Sequence, residues 1–155
     1  MSTSTWPADW EDRKAGLDCP MCATRGMEDN GHGLRILHGA FADVYLNRAA
    51  LPGYAMAIWN GPHVAEPTQL DEDQAAGFFR EMLLAARAVE SHFNVVKMNY
   101  EVLGNSVPHL HVHLIPRYDD DPAPGSPLPT SFLRPGHPAD HRFLADADAL
   151  RGLLA

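Results

Sequence analysis

In the last third of the chain, His109-Leu110-His111-Val112-His113 alternates imidazole with aliphatic side chains, and near the start Cys19-Pro20-Met21-Cys22 sets two thiols two residues apart. Neutral imidazole is a nucleophile, a proton shuttle and a metal ligand near pH 7. On a strand, alternate residues share a face, so the three histidines line one side while Leu110, Val112 and Leu114 line the other, which must be core. Successive histidines then stand roughly 6.5 to 7 Å apart, too far for all three to hold one small ion unaided but suited to lining a groove. Spacing alone leaves three readings open: a solvent-facing strand, a metal site and a catalytic groove.

The cysteines allow their own alternatives. Two cysteines exclude a disulfide framework, which leaves redox, metal-binding or incidental roles. Their spacing is that of half a zinc knuckle, whose loop turns two thiolates toward one ion. A redox pair would open a helix after a buried strand, and the preceding Asp12-Arg13-Lys14-Ala15-Gly16-Leu17-Asp18 is no such strand. His32, His38, His92, His137 and His141 fall in no comparable pattern and read as surface residues.

The positioning elements follow from 155 residues of 45% hydrophobic composition, enough for one domain with a single core. No apolar stretch approaches the roughly 18 to 20 residues of a membrane span and no signal-peptide pattern opens the chain, which predicts a cytoplasmic protein with no membrane partner. Twelve basic against twenty acidic side chains leave a net charge of -8, which argues against nucleic acid as a partner, so any phosphate must be met by local donors.

Alternating apolar runs bounded by turn formers predict antiparallel strands at Leu34 to Leu37, Phe41 to Leu46, Tyr54 to Trp59, Val96 to Leu103 and His109 to Pro116. Between the third and fourth, Ala75, Phe79, Met82, Leu83, Ala86, Val89 and Phe93 recur at helical spacing, and Thr68 with Asp71 resembles a capping box that starts the helix near Gln69. The first 16 or so residues and Gly26 to Gly33 read as surface segments. Beyond Arg117 the Asp119-Asp120-Asp121 run and its Pro-rich sequel read as extended or poorly ordered, with a short helix from about Asp140 to Leu154 closing the chain. The expected architecture is α+β: a five-stranded antiparallel sheet with one main helix.

The stretch Gly104-Asn105-Ser106-Val107-Pro108-His109-Leu110-His111-Val112-His113-Leu114-Ile115-Pro116-Arg117 resembles the signature of the histidine-triad (HIT) family of nucleotide hydrolases and transferases. The resemblance runs from about Asp18 to Arg117 and implies residues 1–17 as an extension, 18–118 as the HIT domain and 119–155 as a tail. It implies that His111 attacks the α-phosphorus of a nucleoside phosphate derivative, such as a dinucleoside polyphosphate, through a nucleotidyl-histidine intermediate. His113 then faces the phosphate, and Ser106 helps protonate the leaving group. Asn105, in place of a more usual glutamine, and the backbone at Val107 meet the oxygens. Asn47 grips ribose and Asn99 takes the place of an active-site asparagine. Tyr54 departs from the pattern, because many members carry histidine after Pro52-Gly53.

Bacterial members of the family, and related uridylyltransferases, resemble this chain in a zinc site that carries over to Cys19, Cys22, His63 and His109. Zinc is then structural, no cofactor enters the chemistry, the partner is a small nucleotide, and the chain pairs as a homodimer. Alternative expectations are an adenosine phosphoramidase, or a nucleotide-sensing protein with little turnover.

Overall fold

Apolar residues at every second position of β2, β3 and β5 press one face of a sheet against a helix. In the computed structural model, which describes residues 4–136 and 140–155, the strands are β1 (Gly33–His38), β2 (Ala42–Asn47), β3 (Ala55–Trp59), β4 (Lys97–Glu101) and β5 (His111–Arg117). They pair antiparallel in the order β1-β2-β3-β5-β4. The helices are α1 (Trp10–Lys14), α2 (Pro20–Ala23), α3 (Glu72–Phe93) and α4 (Asp140–Leu154). The α+β expectation and its five antiparallel strands hold. No helix among the described residues is long and apolar enough to cross a membrane.

Ala42, Val44 and Leu46 of β2, Ala55, Ala57 and Trp59 of β3, and Val112 and Leu114 of β5 form the core with Phe78, Met82, Ala85 and Val89 of α3. Small residues let the helix lie close to the sheet: a Cβ at Gly77 would stand 2.3 Å from the Phe41 ring. Phe143, Ala147 and Leu150 of α4 are buried in the same core. The C-terminal helix therefore packs as a layer beside α3 and β1, tied by Arg151 Nε donating to the Arg35 carbonyl at 2.9 Å.

Several local readings need correction. The long helix starts at Glu72, not near Gln69, because Pro67–Gln69 makes a separate 3-10 turn and Leu70 is extended. Its cap is Asp71, whose carboxylate accepts from the Gln74 N–H at 2.8 Å while its own N–H donates to Gln74 Oε1 at 3.0 Å. The N-terminal segment carries two short helices, and Asp9–Arg13 and Glu11–Lys14 ion pairs brace the first. Regular pairing of β5 begins at His111, two residues late, since the Leu110 N–H donates to the Val64 carbonyl and the His109 N–H turns back to that of Val107. His92, expected at the surface, is half-buried with Nε2 2.8 Å from Asp146 Oδ1. His137 lies outside the described residues.

The β1–β2 turn hangs on one carboxylate of α3. Glu81 accepts the N–H groups of Ala40, Phe41 and Ala42 at 2.8, 2.9 and 2.7 Å. Charge-assisted bonds of this kind are worth more than neutral ones, and the three amides lose their acceptor together. Glu81→Ala should therefore lower stability by about 1.5 to 3 kcal/mol in urea unfolding at unchanged slope. A shift below about 0.5 kcal/mol, within the scatter of ordinary surface changes, would show that water replaces the carboxylate.

Candidate active site

The sheet face turned away from α3 carries the histidines. Cross-strand register sets His111 opposite Ile58, and His113 between Met56 of β3 and Glu101 of β4. His111 is buried and His113 half-buried, their rings 4.9 Å apart at 67°. Burial disfavours the cationic form of both, lowering His111 and pushing His113 down to about 4 with a further push from the neighbouring His111. Both imidazoles are neutral at pH 7.

The His111 Nδ1 lies 2.6 Å from the backbone carbonyl of His109. A carbonyl only accepts, so Nδ1 carries the proton and donates it, and the lone pair sits on Nε2. The local bend at His109 and Leu110, with their backbone N–H groups directed to Val107 and Val64, aims that carbonyl at its own strand's imidazole. A neutral imidazole held in this tautomer can act as a nucleophile through Nε2.

Tyr54 stands just before β3, after the turn that Gly53 makes at φ 80°. Its hydroxyl is 2.6 Å from His113 Nδ1, and the two rings are nearly parallel at 9° with centroids 6.0 Å apart. Burial pushes the phenol up to about 12, against an opposing hydrogen bond from the Asn47 side chain. Asn47, at the end of β2, lines the same cleft as Tyr54.

A second cluster sits at the start of the histidine segment. The His109 Nδ1 lies 3.5 Å from each of Cys19 Sγ and Cys22 Sγ and 3.3 Å from His63 Nδ1, which is itself 3.4 Å from Cys22 Sγ. The remaining ring nitrogens face carbonyls: His109 Nε2–H donates to Trp59 O at 2.8 Å and His63 Nε2–H to Lys14 O at 3.0 Å. Both Nδ1 atoms therefore carry lone pairs, and two lone pairs at 3.3 Å with two thiols beside them call for a shared cation. The four ligand atoms lie within 4.8 Å of one another and are positioned to bind a metal ion. Around a tetrahedral ion with ordinary bond lengths, N···N and N···S edges are roughly 3.3 to 3.6 Å, which these separations match.

The other expected residues fall into two groups. Val107 lines a cleft of about 260 Å³ with Asn47, Tyr54, Met56 and Ile58, roofed by Leu133 and Pro135 of the C-terminal stretch. With the exposed Ser106 it also lines a neighbouring cleft of about 320 Å³ beside Asp18 and Cys19. Asn105 is exposed on the same loop. Asn99 shares the histidine face but is opposite Ile115, not His113, and its Oδ1 accepts from Arg117 Nη1 at 2.7 Å.

Arg117 itself escaped the sequence reading. Its buried guanidinium donates to both oxygens of Asp121 and to the carbonyls of Ala123 and Ser126 at 2.7 and 2.8 Å. This hub orders the segment after β5, which had read as extended, and the stretch continues to a bridge between Pro135 and Ala49. The visible signal was an arginine four residues before an aspartate at the end of an acidic run. The Trp59 and Lys14 carbonyls behind the metal cluster had no signal at all, since backbone acceptors are not encoded by residue type.

Comparison with known proteins agrees with this geometry. The HIT domain family matches residues 40–120. No curated protein sequence matches the chain. Among solved structures, a histidine triad protein from Bradyrhizobium japonicum is 26% identical with a TM-score of 0.72, over 80% of this chain and 92% of its own. One from Marinobacter aquaeolei VT8 is also 26% identical, with a TM-score of 0.68 over 79% of this chain and 89% of its own. A Zn-bound histidine triad family protein from Mycobacterium smegmatis, 21% identical over 89% of this chain and 94% of its own, shares the fold at a TM-score of 0.64. With the family match spanning more than half of its length and the histidine strand set in this sheet, the chain belongs to the HIT domain family, the histidine triad proteins.

Proposed function

We propose that this chain is a nucleotide hydrolase or transferase in which His111 attacks the α-phosphorus of a nucleoside phosphate derivative. A dinucleoside polyphosphate such as diadenosine tetraphosphate is the first choice of substrate and an adenosine phosphoramidate the second. The observation that carries the reading is the bond from His111 Nδ1–H to the His109 carbonyl, which leaves a neutral Nε2 lone pair on a buried ring. As Nε2 forms its bond to phosphorus, the bond from phosphorus to the leaving oxygen or nitrogen breaks. The released pair takes a proton from Ser106, which recovers one from solvent. Water then attacks the same phosphorus, the P–N bond breaks with its pair returning to Nε2, and a proton leaves to solvent.

The His109 carbonyl steadies the imidazolium-like intermediate throughout. His113, Asn105 and the Val107 backbone meet the non-bridging oxygens, while Asn47 and Asn99 serve the nucleoside side. The Arg117 bond occupies the oxygen of Asn99, so its amide N–H groups remain as donors. In an acidic protein, such fixed neutral donors are how an anion is held.

The test follows products and intact mass on a panel of diadenosine polyphosphates, adenosine phosphoramidate and nucleotidyl sugars. The parent should form a nucleotidyl adduct, and His111→Ala should lose the adduct and at least about a thousandfold in turnover. If nothing turns over, no adduct appears and His111→Ala binds nucleotide as well as the parent, the enzyme reading gives way to a sensing one.

For the metal cluster we assign structural zinc on Cys19, Cys22, His63 and His109. Two thiols and two imidazole lone pairs suit this ion, both cysteines are free, and a relative of the same fold is zinc-bound. Free thiols also fit work in the reducing cytoplasm. When bound, zinc would fasten the N-terminal loop to the segment before β5. Protein made in zinc-replete medium should contain stoichiometric zinc and lose it on Cys22→Ser, with a lower melting temperature. Metal-free parent protein would sink the assignment.

We also propose a homodimer joined along β4. This strand is an edge of the sheet, and Tyr100 on it and Val96 and Val102 at its two ends are exposed, a row that a second copy can pair with. Sedimentation should report a dimer at micromolar protein, and Tyr100→Lys should shift it toward monomer. A monomeric parent would rule this out.

A further inference from the structure

We propose that Tyr54 is a positioning residue that holds His113 in the tautomer opposite to that of His111, so that neighbouring imidazoles present a lone pair and an N–H to the same substrate. What the two nitrogens act on rests on the hydrolase reading above; the tautomers are properties of the free protein.

The argument is one of satisfying each polar atom. The phenol of Tyr54 has one proton to donate and two lone pairs to receive with, and its residue is only 5% exposed. Its oxygen lies 2.6 Å from His113 Nδ1. Among the described residues that nitrogen is the hydrogen-bond partner of the hydroxyl. No second acceptor for the phenol proton lies within hydrogen-bond distance among the described residues. That proton has His113 Nδ1 as its acceptor. Were Nδ1 protonated instead, the phenol proton would be buried without a partner, at a cost of about 1 to 3 kcal/mol.

Ring geometry agrees. The two rings are nearly parallel at 9° yet their centroids are 6.0 Å apart, so phenol and imidazole meet edge to edge and the hydroxyl approaches Nδ1 near the plane in which its lone pair lies. Burial makes the proton's location firm, because the phenol is pushed up to about 12 and the imidazole down to about 4, so the proton stays on oxygen. With Nδ1 accepting, the ring proton of neutral His113 is on Nε2.

The contrast with His111 is then complete. A carbonyl, which can only accept, puts the His111 proton on Nδ1 and bares Nε2. A phenol whose proton has only Nδ1 to go to puts the His113 proton on Nε2. One strand thus carries, two residues apart, a nucleophilic nitrogen and a hydrogen-bond donor, both neutral, and each tautomer is written by a different neighbour. The donor suits a non-bridging phosphoryl oxygen, where charge grows as phosphorus is attacked.

The experiment reads the tautomers directly, by long-range proton–nitrogen correlation spectra of the nitrogen-15-labelled full chain as purified, near neutral pH. In the parent, His113 should show a pyridine-type Nδ1 and a pyrrole-type Nε2, and His111 the reverse. Tyr54→Phe keeps the ring and removes the hydroxyl, so His113 should move toward a tautomer mixture, and kcat for nucleotide hydrolysis should fall about tenfold or more at nearly constant KM. A parent His113 protonated on Nδ1 overturns the proposal, as does a Tyr54→Phe protein with unchanged spectrum and kcat. If the parent hydrolyses no nucleotide, the hydrolase reading fails, and the two spectra still decide the tautomer.

Discussion

His109 is the residue through which the rest of the site is connected. Its Nδ1 faces the two thiols and His63, its Nε2–H is given to the Trp59 carbonyl at the end of β3, and its own carbonyl accepts the Nδ1–H of His111. One side chain and one backbone group thus join the N-terminal helices, the sheet and the nucleophile candidate. Because an imidazole is rigid, fixing both of its nitrogens fixes the ring plane, which leaves the adjoining backbone little freedom to turn its carbonyl elsewhere. The order of the His111 ring is then inherited from a cluster on the far side of Leu110.

This arrangement also explains why β5 does not begin where its alternation begins. A strand running regularly from His109 would send all three imidazoles to one row with even spacing. Instead the Leu110 N–H is taken by Val64 and the His109 N–H by Val107, and pairing with β3 becomes regular only at His111. The break separates the first histidine from the other two, and it is what allows one motif to serve two clusters.

Period and turn chemistry made most of the fold legible. Alternation in five short runs places the strands within two residues of their limits, the 3.6-residue recurrence from Ala75 to Phe93 marks the main helix within three residues of its start, and the closing helix begins at Asp140 as expected. What stayed hidden depends on contacts between residues far apart in the chain. The start of α3 turned on whether Thr68 or Asp71 wins the cap, which Pro67 and the extended Leu70 decide. Glu81 reaching the amides of 40–42, and Tyr54 reaching His113 across 59 positions, have no local signature. In the site, the residues of the triad and the four-ligand cluster were readable from type and spacing through a family likeness. The groups that set their protons were not, being three backbone carbonyls and one phenol.

The charges on the open face bear on how an acidic chain could hold the anion of the proposed substrate. Four basic groups on or beside the sheet are already engaged: Arg117 with Asp121, Lys97 with the Met98 carbonyl, Arg35 with the Gly26 carbonyl and Arg48 with Asp29. A phosphate of the proposed substrate would compete there with these internal bonds, and it would gain little by breaking one. Neutral N–H groups carry no such competitor when their other nitrogen is already satisfied, and beside the buried His111 they are screened less than in open solvent. Satisfying the inner nitrogen of each imidazole therefore does two things at once: it fixes the tautomer, and it leaves the outer nitrogen as the one polar atom still in need of a partner.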